Sequence, residues 1–365
     1  MPLGIYQLPD LLSICPKKTG HIVSPSFEET KHSYEQWVRD NIGYFAAIKF
    51  AKIQMPLLAA LICPKGGFRD LRAILDCMSM QYILEELTDR CSSEAAKSQC
   101  DLWIEILKNP EAGEGHRHPF IKLIAKQMVT RMKDAVDPYH WPQFIQSCDE
   151  YAKNTAQEAL DRETLKDASA TRRVAAYMIM RRESIGVRPS LVVMRSIRKL
   201  YLPEHVLKHH VVAEMENTAL DMVYITNDIY SFKKELNEDG ALNNIINIIQ
   251  KDPKTQHLDL QARIIHAGEL FQGALDRFKA CRDSLPSFGN DETDKQVAAY
   301  ADGLVDWVVG NVEWSVVTPR YRVFANDADR RNNILRLDDR WFMSWKFQLL
   351  LLISIVIACI SLATL

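Results

Sequence analysis

Three oxygen-bearing side chains stand at steps of four near the middle of the chain, at Asn227, Ser231 and Glu235. They continue a series that is apolar at Ala219 and Val223. In a helix each step of four advances about 40° around the axis, so the three side chains form one line about 12 Å long. An amide, a hydroxyl and a carboxylate are hard oxygen ligands of the kind that Mg²⁺ takes when it is shared with phosphate. The spacing indicates a magnesium site, and a helix end that emerges into solvent is the alternative.

A second apolar series becomes acidic at Glu85 and Asp89. Its earlier members, which share one helical face, are Leu71, Ile74, Leu75, Met78 and Tyr82. Two carboxylates one turn apart, where an apolar core would continue, are costly unless they pair with cations or metals. The same pattern is also typical of a helix that leaves the core. It therefore supports a metal site only together with the first series.

A cation occupies the corresponding position in a third series. Arg181 lies seven residues after Val174, on the helical face that also holds Tyr177 and Met178, while Arg182 points elsewhere. The planar fork of an Arg side chain suits phosphate oxygens. A snorkelling Arg near a helix C-terminus is the alternative explanation.

A fourth series is aromatic and ends beside another cation. Its members, again on one helical face, are Val297, Tyr300, Leu304, Trp307, Asn311 and Trp314. Pro319 is expected to end the helix, because proline cannot continue the hydrogen-bond ladder. Arg320 and Tyr321 follow at its mouth. Core aromatic residues next to a surface Arg would give the same pattern.

Long helices must carry these four series. Gly (14) and Pro (15) together make up roughly 8% of the 365 residues, against a usual share of about 12%. We therefore predict an all-α chain in which residues 26–321 form one helical-bundle domain. Residues 1–25 are expected to be irregular and residues 322–346 a polar linker. The domain would enclose an apolar, aromatic cavity with metal-binding oxygens and cations at one end.

Composition limits the class of protein. The hydrophobic share of 47% and the charged share of 25% are typical of a folded chain. The formal net charge of −2 argues against binding to nucleic acid, which normally requires a basic excess. The eight cysteines contain no CxxC pair, so we expect buried free thiols rather than disulfides or a zinc site. The N-terminus has no cationic n-region, so no secretory signal peptide is expected.

The last nineteen residues, 347–365, contain no charged side chain. As a helix they would span about 28 Å, close to the roughly 30 Å hydrocarbon core of a bilayer. Arg340, Trp341, Trp345 and Lys346 precede them, as in an interfacial collar. We predict a single-pass membrane tail anchor that keeps the catalytic domain on the cytosolic side. An apolar core helix or a partner-binding helix is the alternative.

With these residues the chain resembles the class I terpene synthases, and most of all the fungal sesquiterpene synthases (cyclases). NDIYSFKKE, residues 227–235, is similar to the second metal motif of the family, (N/D)DxxSxxxE, in its fungal form with Lys before the final Glu. EELTD, residues 85–89, stands where the family usually has DExxD or DDxxD, so Glu replaces the first Asp. Arg181 lies 46 residues before Asn227, and WSVVTPRY is similar to the closing Arg–Tyr pair of the family. The resemblance covers roughly residues 25–325.

The resemblance implies a class I terpenoid synthase-like helical bundle and a Mg²⁺ cofactor, with three ions. The implied metal ligands are Glu85, Asp89, Asn227, Ser231 and Glu235. The implied catalytic groups, which would bind the diphosphate, are Arg181, Lys234, Arg320 and Tyr321. Tyr82 and Trp314 are implied as further substrate-binding residues.

The implied reaction ionises an allylic prenyl diphosphate, farnesyl diphosphate above all, and cyclises it to a sesquiterpene hydrocarbon or alcohol. Geranyl and geranylgeranyl diphosphate are alternative substrates. A catalytically silent, membrane-tethered helical scaffold is the alternative from another class of protein. A prenyl-chain elongase would need a second DDxxD motif in place of NDIYS. Histidine metal sites at His116 and His118, or at His209–His210, do not match the usual ligand spacing.

Overall fold

The structure, a computed structural model, describes residues 4–15, 23–42, 44–88, 91–113, 127–164, 173–236 and 243–337. Most of these residues are helical, and a 3-10 turn lies at Pro110–Gly113. The helices are α1 Leu11–Ile14, α2 Phe27–Asn41, α3 Tyr44–Ile53, α4 Met55–Ile62, α5 Phe68–Thr88, α6 Ser93–Lys108, α7 Val129–Ala135, α8 Trp141–Thr164, α9 Val174–Ser184, α10 Val187–Ile197, α11 Glu204–Leu207, α12 His210–Glu235, α13 Ile245–Lys251, α14 Leu260–Asp283, α15 Asp291–Val317 and α16 Asp327–Arg331. Two strands, β1 Gly4–Gln7 and β2 Ile334–Leu337, form an antiparallel pair.

Five helices, α4, α5, α10, α12 and α15, surround a central cavity. α15 packs against α4, α10 and α12, while α5 packs against α4 and α10. α14 packs along α12, and α8 packs along α10. The prediction of a mostly helical bundle is confirmed. Each of the four residue series that begin apolar and end in polar side chains lies on one of these helices or on α9, which packs next to α10 and α12.

The ends of the long helices follow from local chemistry. The side chain of Asn290 caps α15 by accepting a hydrogen bond of 2.8 Å from the backbone N–H of Thr293. The same helix ends at Val317, two residues before Pro319, as predicted. α5 begins at Phe68, directly after Gly66 and Gly67. These ends place Glu85 and Arg320 at the mouth of the same cavity.

A glycine separates α9 from α10. Gly186 has a φ of +74°, in the left-handed region that favours glycine. A Cβ atom on this residue would lie 3.1 Å from Gln81 Nε2 and 3.1 Å from Tyr151 Cε2. Both the backbone conformation and the close approach of α5 and α8 therefore require glycine here.

The two ends of the described chain differ from the sequence prediction. Residues 4–7 were expected to be irregular and residues 334–337 to belong to a linker, yet they pair as strands, with Gly4 opposite Leu337 and Gln7 opposite Ile334. Within the same expected linker, α16 holds Asp329, which accepts two hydrogen bonds from Arg336, at 2.8 and 2.9 Å. The prediction was wrong at these positions, because strands of four residues are too short to give a recognisable alternation.

Several predictions concern residues outside the described ranges. These residues are Asp89, the histidines at 116 and 118, and the tail at 347–365. The membrane anchor therefore stays a prediction. Within the described ranges, no helix combines the length and the apolar character needed to cross a bilayer. The seven cysteines in those ranges are free thiols, five of them buried, as expected.

Candidate active site

The cavity inside the helical ring is apolar in its depth and polar at its mouth. Its volume is about 130 Å³, and it opens to solvent at its mouth. Its apolar lining includes Ile53, Met55, Leu58, Met78, Val187, Val223, Trp307 and Trp314. Its polar lining includes Gln81, Glu85, Ser190, Asn227, Asn311, Arg320 and Tyr321.

The three candidate ligands of α12 lie along one line of that helix, as predicted. Asn227 lines the cavity, and its Nδ2 donates a hydrogen bond of 2.7 Å to Tyr321 Oη. Ser231 is only 2% exposed, and its hydroxyl has no hydrogen-bond partner among the described residues. Glu235 ends the helix, and its Oε2 accepts a hydrogen bond of 3.0 Å from Asn244 Nδ2. Lys234, which precedes it, is half-buried in the last turn.

These oxygens fit a hard divalent cation. A buried hydroxyl without a partner carries a desolvation cost that a ligand would remove. Amide, hydroxyl and carboxylate oxygens in one line are the donor set that Mg²⁺ accepts. Within the described ranges, no group of three or more His, Cys, Asp or Glu side chains could hold a metal. A metal held on α12 would therefore rely on Asn227 and Ser231 as well as on Glu235.

Glu85 lies on α5 across the cavity mouth. Its Oε1 accepts a hydrogen bond of 3.1 Å from Tyr151 Oη, which projects from α8. Glu85 lines the same cavity as Asn227, so the structure brings the first and second candidate metal positions together. Nothing in the sequence indicated Tyr151, because its contact with Glu85 depends on how α8 packs against α5.

Arg181 and Arg182 are adjacent in the chain but are held very differently. Arg181 Nη2 lies 3.4 Å from Asn227 Oδ1 and 3.4 Å from Asp228 Oδ1, at the outer limit of hydrogen bonding. Its Nε is buried and has no hydrogen-bond partner among the described residues. Arg182, in contrast, makes two bonds of 2.7 Å to the buried carboxylate of Asp221. Arg181 is therefore the cation that can turn to an incoming anion, while Arg182 fixes α9 against α12.

Asp228, which was not predicted as a site residue, joins three helices next to Asn227. Its fully buried carboxylate accepts hydrogen bonds from Tyr177 Oη at 2.6 Å and from the backbone N–H of Ile245 at 2.8 Å. Burial raises the pKa of Asp228 to about 6, although the nearby cation of Arg181 opposes the shift. The residue next to Asn227 thus anchors α9 and the start of α13 to α12.

Arg320 and Tyr321 close the cavity mouth after α15. The guanidinium of Arg320 lies 5.2 Å from the centre of the Tyr82 ring and 5.9 Å from that of Tyr321. Burial raises the pKa of Tyr321 to about 12, so its phenol is neutral near pH 7. Because Tyr321 Oη accepts a bond from Asn227, its own hydrogen can donate to a ligand. Tyr82 stacks on Arg320 in a cation–π contact and so helps to orient that side chain.

Trp314 holds the cavity wall together as well as lining it. Its indole Nε1 donates a hydrogen bond of 2.9 Å to the carbonyl of Ile53, and its ring lies 5.4 Å from that of Tyr321. Trp307, about two helical turns earlier on the same face of α15, also lines the cavity. Tyr82, Trp307 and Trp314 thus line the same cavity as Glu85, Asn227 and Arg320. Such an arrangement can hold the diphosphate of a ligand at the rim and its hydrocarbon chain in the depth.

Comparisons with known proteins agree with this arrangement. Residues 76–277 match the family described as terpene synthase family 2, C-terminal metal binding. The chain is 28% identical over 316 residues to a Delta(6)-protoilludene synthase of Stereum hirsutum, with 86% of this chain and 83% of the relative covered. It is 30% identical over 319 residues to sesquiterpene synthase Agr8 of Cyclocybe aegerita, with 87% and 86% covered. The fold is similar to that of germacradien-4-ol synthase from Streptomyces citricolor, with a TM-score of 0.66, 19% identity, and 82% and 96% of the two chains covered.

Proposed function

The chain belongs to the terpene synthase family, and on this premise we propose that it ionises farnesyl diphosphate with the help of Mg²⁺ and cyclises it to a sesquiterpene. The observation that carries the proposal is that Asn227 and Tyr321, joined by a hydrogen bond, line a cavity with aromatic walls, and that Arg181 lies 3.4 Å from Asn227. The choice of a C15 substrate rests on the relatives, since the one from Cyclocybe aegerita is named a sesquiterpene synthase. Geranyl and geranylgeranyl diphosphate are the alternative substrates.

The family description includes metal binding, and the donors on α12 fit it. In the proposal Asn227, Ser231 and Glu235 would hold Mg²⁺, and Glu85 and Asp89 would supply further ligands. Three ions are expected by resemblance. When bound, the metal neutralises the charge that develops on the leaving diphosphate.

The side chains at the rim then bind and orient the diphosphate. Arg181 exchanges its long contacts with Asn227 and Asp228 for diphosphate oxygens, and Arg320 and the neutral phenol of Tyr321 donate to the same group. Lys234 is proposed as a further cation. As the allylic C–O bond breaks, its electron pair leaves with the diphosphate, and these donors stabilise the departing charge.

The apolar depth of the cavity governs the second half of the reaction. An allyl cation remains in a cavity whose walls include Tyr82, Trp307 and Trp314. Aromatic faces attract cations, and exclusion of water prevents premature hydrolysis. Ring closure forms a C–C bond between the cationic carbon and a double bond of the same prenyl chain. The positive charge moves to the other carbon of that double bond. Loss of a proton then gives a hydrocarbon, and capture of one water molecule with loss of its proton gives an alcohol.

The test is incubation of the full chain with Mg²⁺ and, separately, geranyl, farnesyl and geranylgeranyl diphosphate. We expect release of diphosphate and a cyclic C15 product from farnesyl diphosphate, measured by phosphate assay and gas chromatography–mass spectrometry. Omission of Mg²⁺ is the matched control and should abolish both signals. No diphosphate released from any of the three substrates would contradict the proposal and favour the silent scaffold.

We also propose that residues 347–365 anchor the chain in a membrane, with the catalytic domain on the cytosolic side. The support is the sequence of that segment, which has no charge over its nineteen residues. The full chain is expected in the membrane fraction and to resist alkaline extraction. A chain ending at residue 340 keeps β2, which ends at Leu337, and is expected in the soluble fraction. The same distribution of both chains between the fractions would rule out the anchor.

A further inference from the structure

We propose that Asn244 is a positioning residue that fixes the carboxylate of Glu235 for metal binding. The residue lies nine positions beyond the end of the 227–235 motif and was not indicated by the sequence. The proposal rests on the proposed function, since it assigns Asn244 to the same metal site. Its support comes from the hydrogen bonds that Asn244 makes.

All the polar atoms of the Asn244 side chain are in use. The residue is fully buried, with no exposed surface. Its Nδ2 donates two hydrogen bonds, at 3.0 Å to Glu235 Oε2 and at 2.7 Å to the carbonyl oxygen of Asp228. Its Oδ1 accepts a bond of 3.0 Å from the backbone N–H of Ile246 and so caps α13. One amide thus joins the start of α13 to both ends of the metal motif.

The next residue makes a second connection of the same kind. The backbone N–H of Ile245 donates to Asp228 Oδ2 at 2.8 Å. Asp228 and Glu235 are about two helical turns apart on α12, so residues 244 and 245 span the length of the motif from behind. The position of α13 relative to α12 is therefore set by the motif itself.

Glu235 needs such a partner because of its place in the helix. It is the last residue of α12, where the partial negative charge of the helix C-terminus disfavours a carboxylate. A glutamate side chain at a helix end also has several rotamers to lose when it becomes a ligand. A fixed donor on Oε2 removes part of both costs and leaves Oε1 for the metal. Partners of this kind orient metal-binding carboxylates in other proteins.

The test compares Asn244→Ser with the wild-type full chain. Serine keeps an oxygen that can cap α13 but is too short to bridge Asp228 and Glu235. The readout is thermal unfolding as Mg²⁺ is titrated in the presence of inorganic diphosphate, since a ligand of the folded state raises the unfolding temperature. We expect the midpoint of the Mg²⁺ titration to rise about 10- to 100-fold. The unfolding temperature without Mg²⁺ should fall as well, because two buried hydrogen bonds are lost, so the midpoint is read from the rise of each variant's own unfolding temperature. High Mg²⁺ should restore diphosphate release from the substrate.

Asn290→Ser is the matched control. Asn290 also caps a long helix, α15, but at the end opposite to Arg320, and its variant should keep the wild-type midpoint. If Asn244→Ser does not fold, Asn244→Asp serves instead, because it keeps the shape and the cap while removing both N–H donors. A wild-type midpoint in a folded Asn244 variant would overturn the proposal. If the wild-type chain itself showed no response to Mg²⁺ and diphosphate, the proposed function would fall, and this inference with it.

Discussion

The hydroxyl of Ser231 is buried on α12, four residues after Asn227, without a hydrogen-bond partner among the described residues. In a folded protein such a group lowers stability, because it has lost its water and gained nothing. The neighbouring ligand candidates are not in this condition, since Asn227 bonds Tyr321 and Glu235 bonds Asn244. Because the Ser231 hydroxyl makes no hydrogen bond to the described protein, it has none to break when it binds a metal. The unpaired hydroxyl therefore lowers the stability of the metal-free protein, and metal binding would remove that loss.

Replacement of Ser231 by Ala therefore separates stability from metal binding. Without metal, Ser231→Ala should change the free energy of unfolding by less than about 1 kcal/mol, because no protein hydrogen bond is lost. The Mg²⁺ concentration at half-maximal diphosphate release should rise at least about tenfold. Ser315→Ala is the control, since Ser315 is also buried with an unpartnered hydroxyl among the described residues but lies on α15, outside the 227–235 motif. An equal magnesium requirement in the two variants would contradict the role of Ser231.

The sequence was sufficient to identify candidate site residues whose polar side chains interrupt an apolar helical face. Asn227, Glu85 and Arg320 stood out because each ends such a face, and all three line one cavity. Asp228 and Asn244 could not be found in this way, since each is buried behind the ligands and its role depends on contacts between different helices. Tyr151 is similar, because it meets Glu85 across 66 residues of chain. Such partners become visible only when the helices are packed.

The break between α9 and α10 governs the direction of Arg181. Gly186 lets the chain turn with a positive φ and brings it against Gln81, whose Nε2 donates to the carbonyl of Gly186. α9 can then present Arg181 to α12 while α10 runs on along the cavity wall. The sequence predicted the end of α15 from Pro319, because proline acts locally. It could not predict the short strands, whose pairing is not local.

Gly186→Ala should therefore harm both the fold and the site. A positive φ costs an alanine about 1–2 kcal/mol, and the added Cβ would press on Gln81 and Tyr151. We expect a loss of unfolding free energy above that figure, and weaker diphosphate binding measured by calorimetry. Gly289→Ala is the matched control, with a φ of +90° and nothing within 4 Å of its Cβ. It should show the backbone cost alone, with unchanged diphosphate binding. Equal losses in both properties for the two variants would mean that the contacts of Gly186 do not matter.

The first and last described segments of the chain pair with each other. β1 precedes the first helix and β2 follows the last, and the residues of the pair alternate between the core and the surface. Leu335 and Leu337 are buried, together with Leu8 and Leu11 from the other end of the chain. The segment after Tyr321 is thus part of the fold and lies directly behind the residues that close the cavity.

Leu335→Ala should lower the free energy of unfolding by about 2–5 kcal/mol, because Leu335 is only 1% exposed. Ile5→Ala, on the other strand of the same pair, should change it by less than about 0.5 kcal/mol, since Ile5 is 63% exposed. Unfolding in urea, followed by circular dichroism, measures both. Two equal and small effects would show that the strand pair is marginal to stability.

The pairing of Gly4 with Leu337 also sets an order of events during synthesis. The first strand leaves the ribosome before any helix, but its partner is among the last described residues to be made. Nearly all the helical bundle, including α12 and α15, is therefore complete before the sheet can form. The long loop that the pairing closes carries a large entropic cost, which only a bundle that is already compact can reduce. Until α14 and α15 are made, the apolar side chains of β1 and α1 have no place to bury, because β1 packs against α14 and α1 against α15. A newly made chain must keep them from other partners until then.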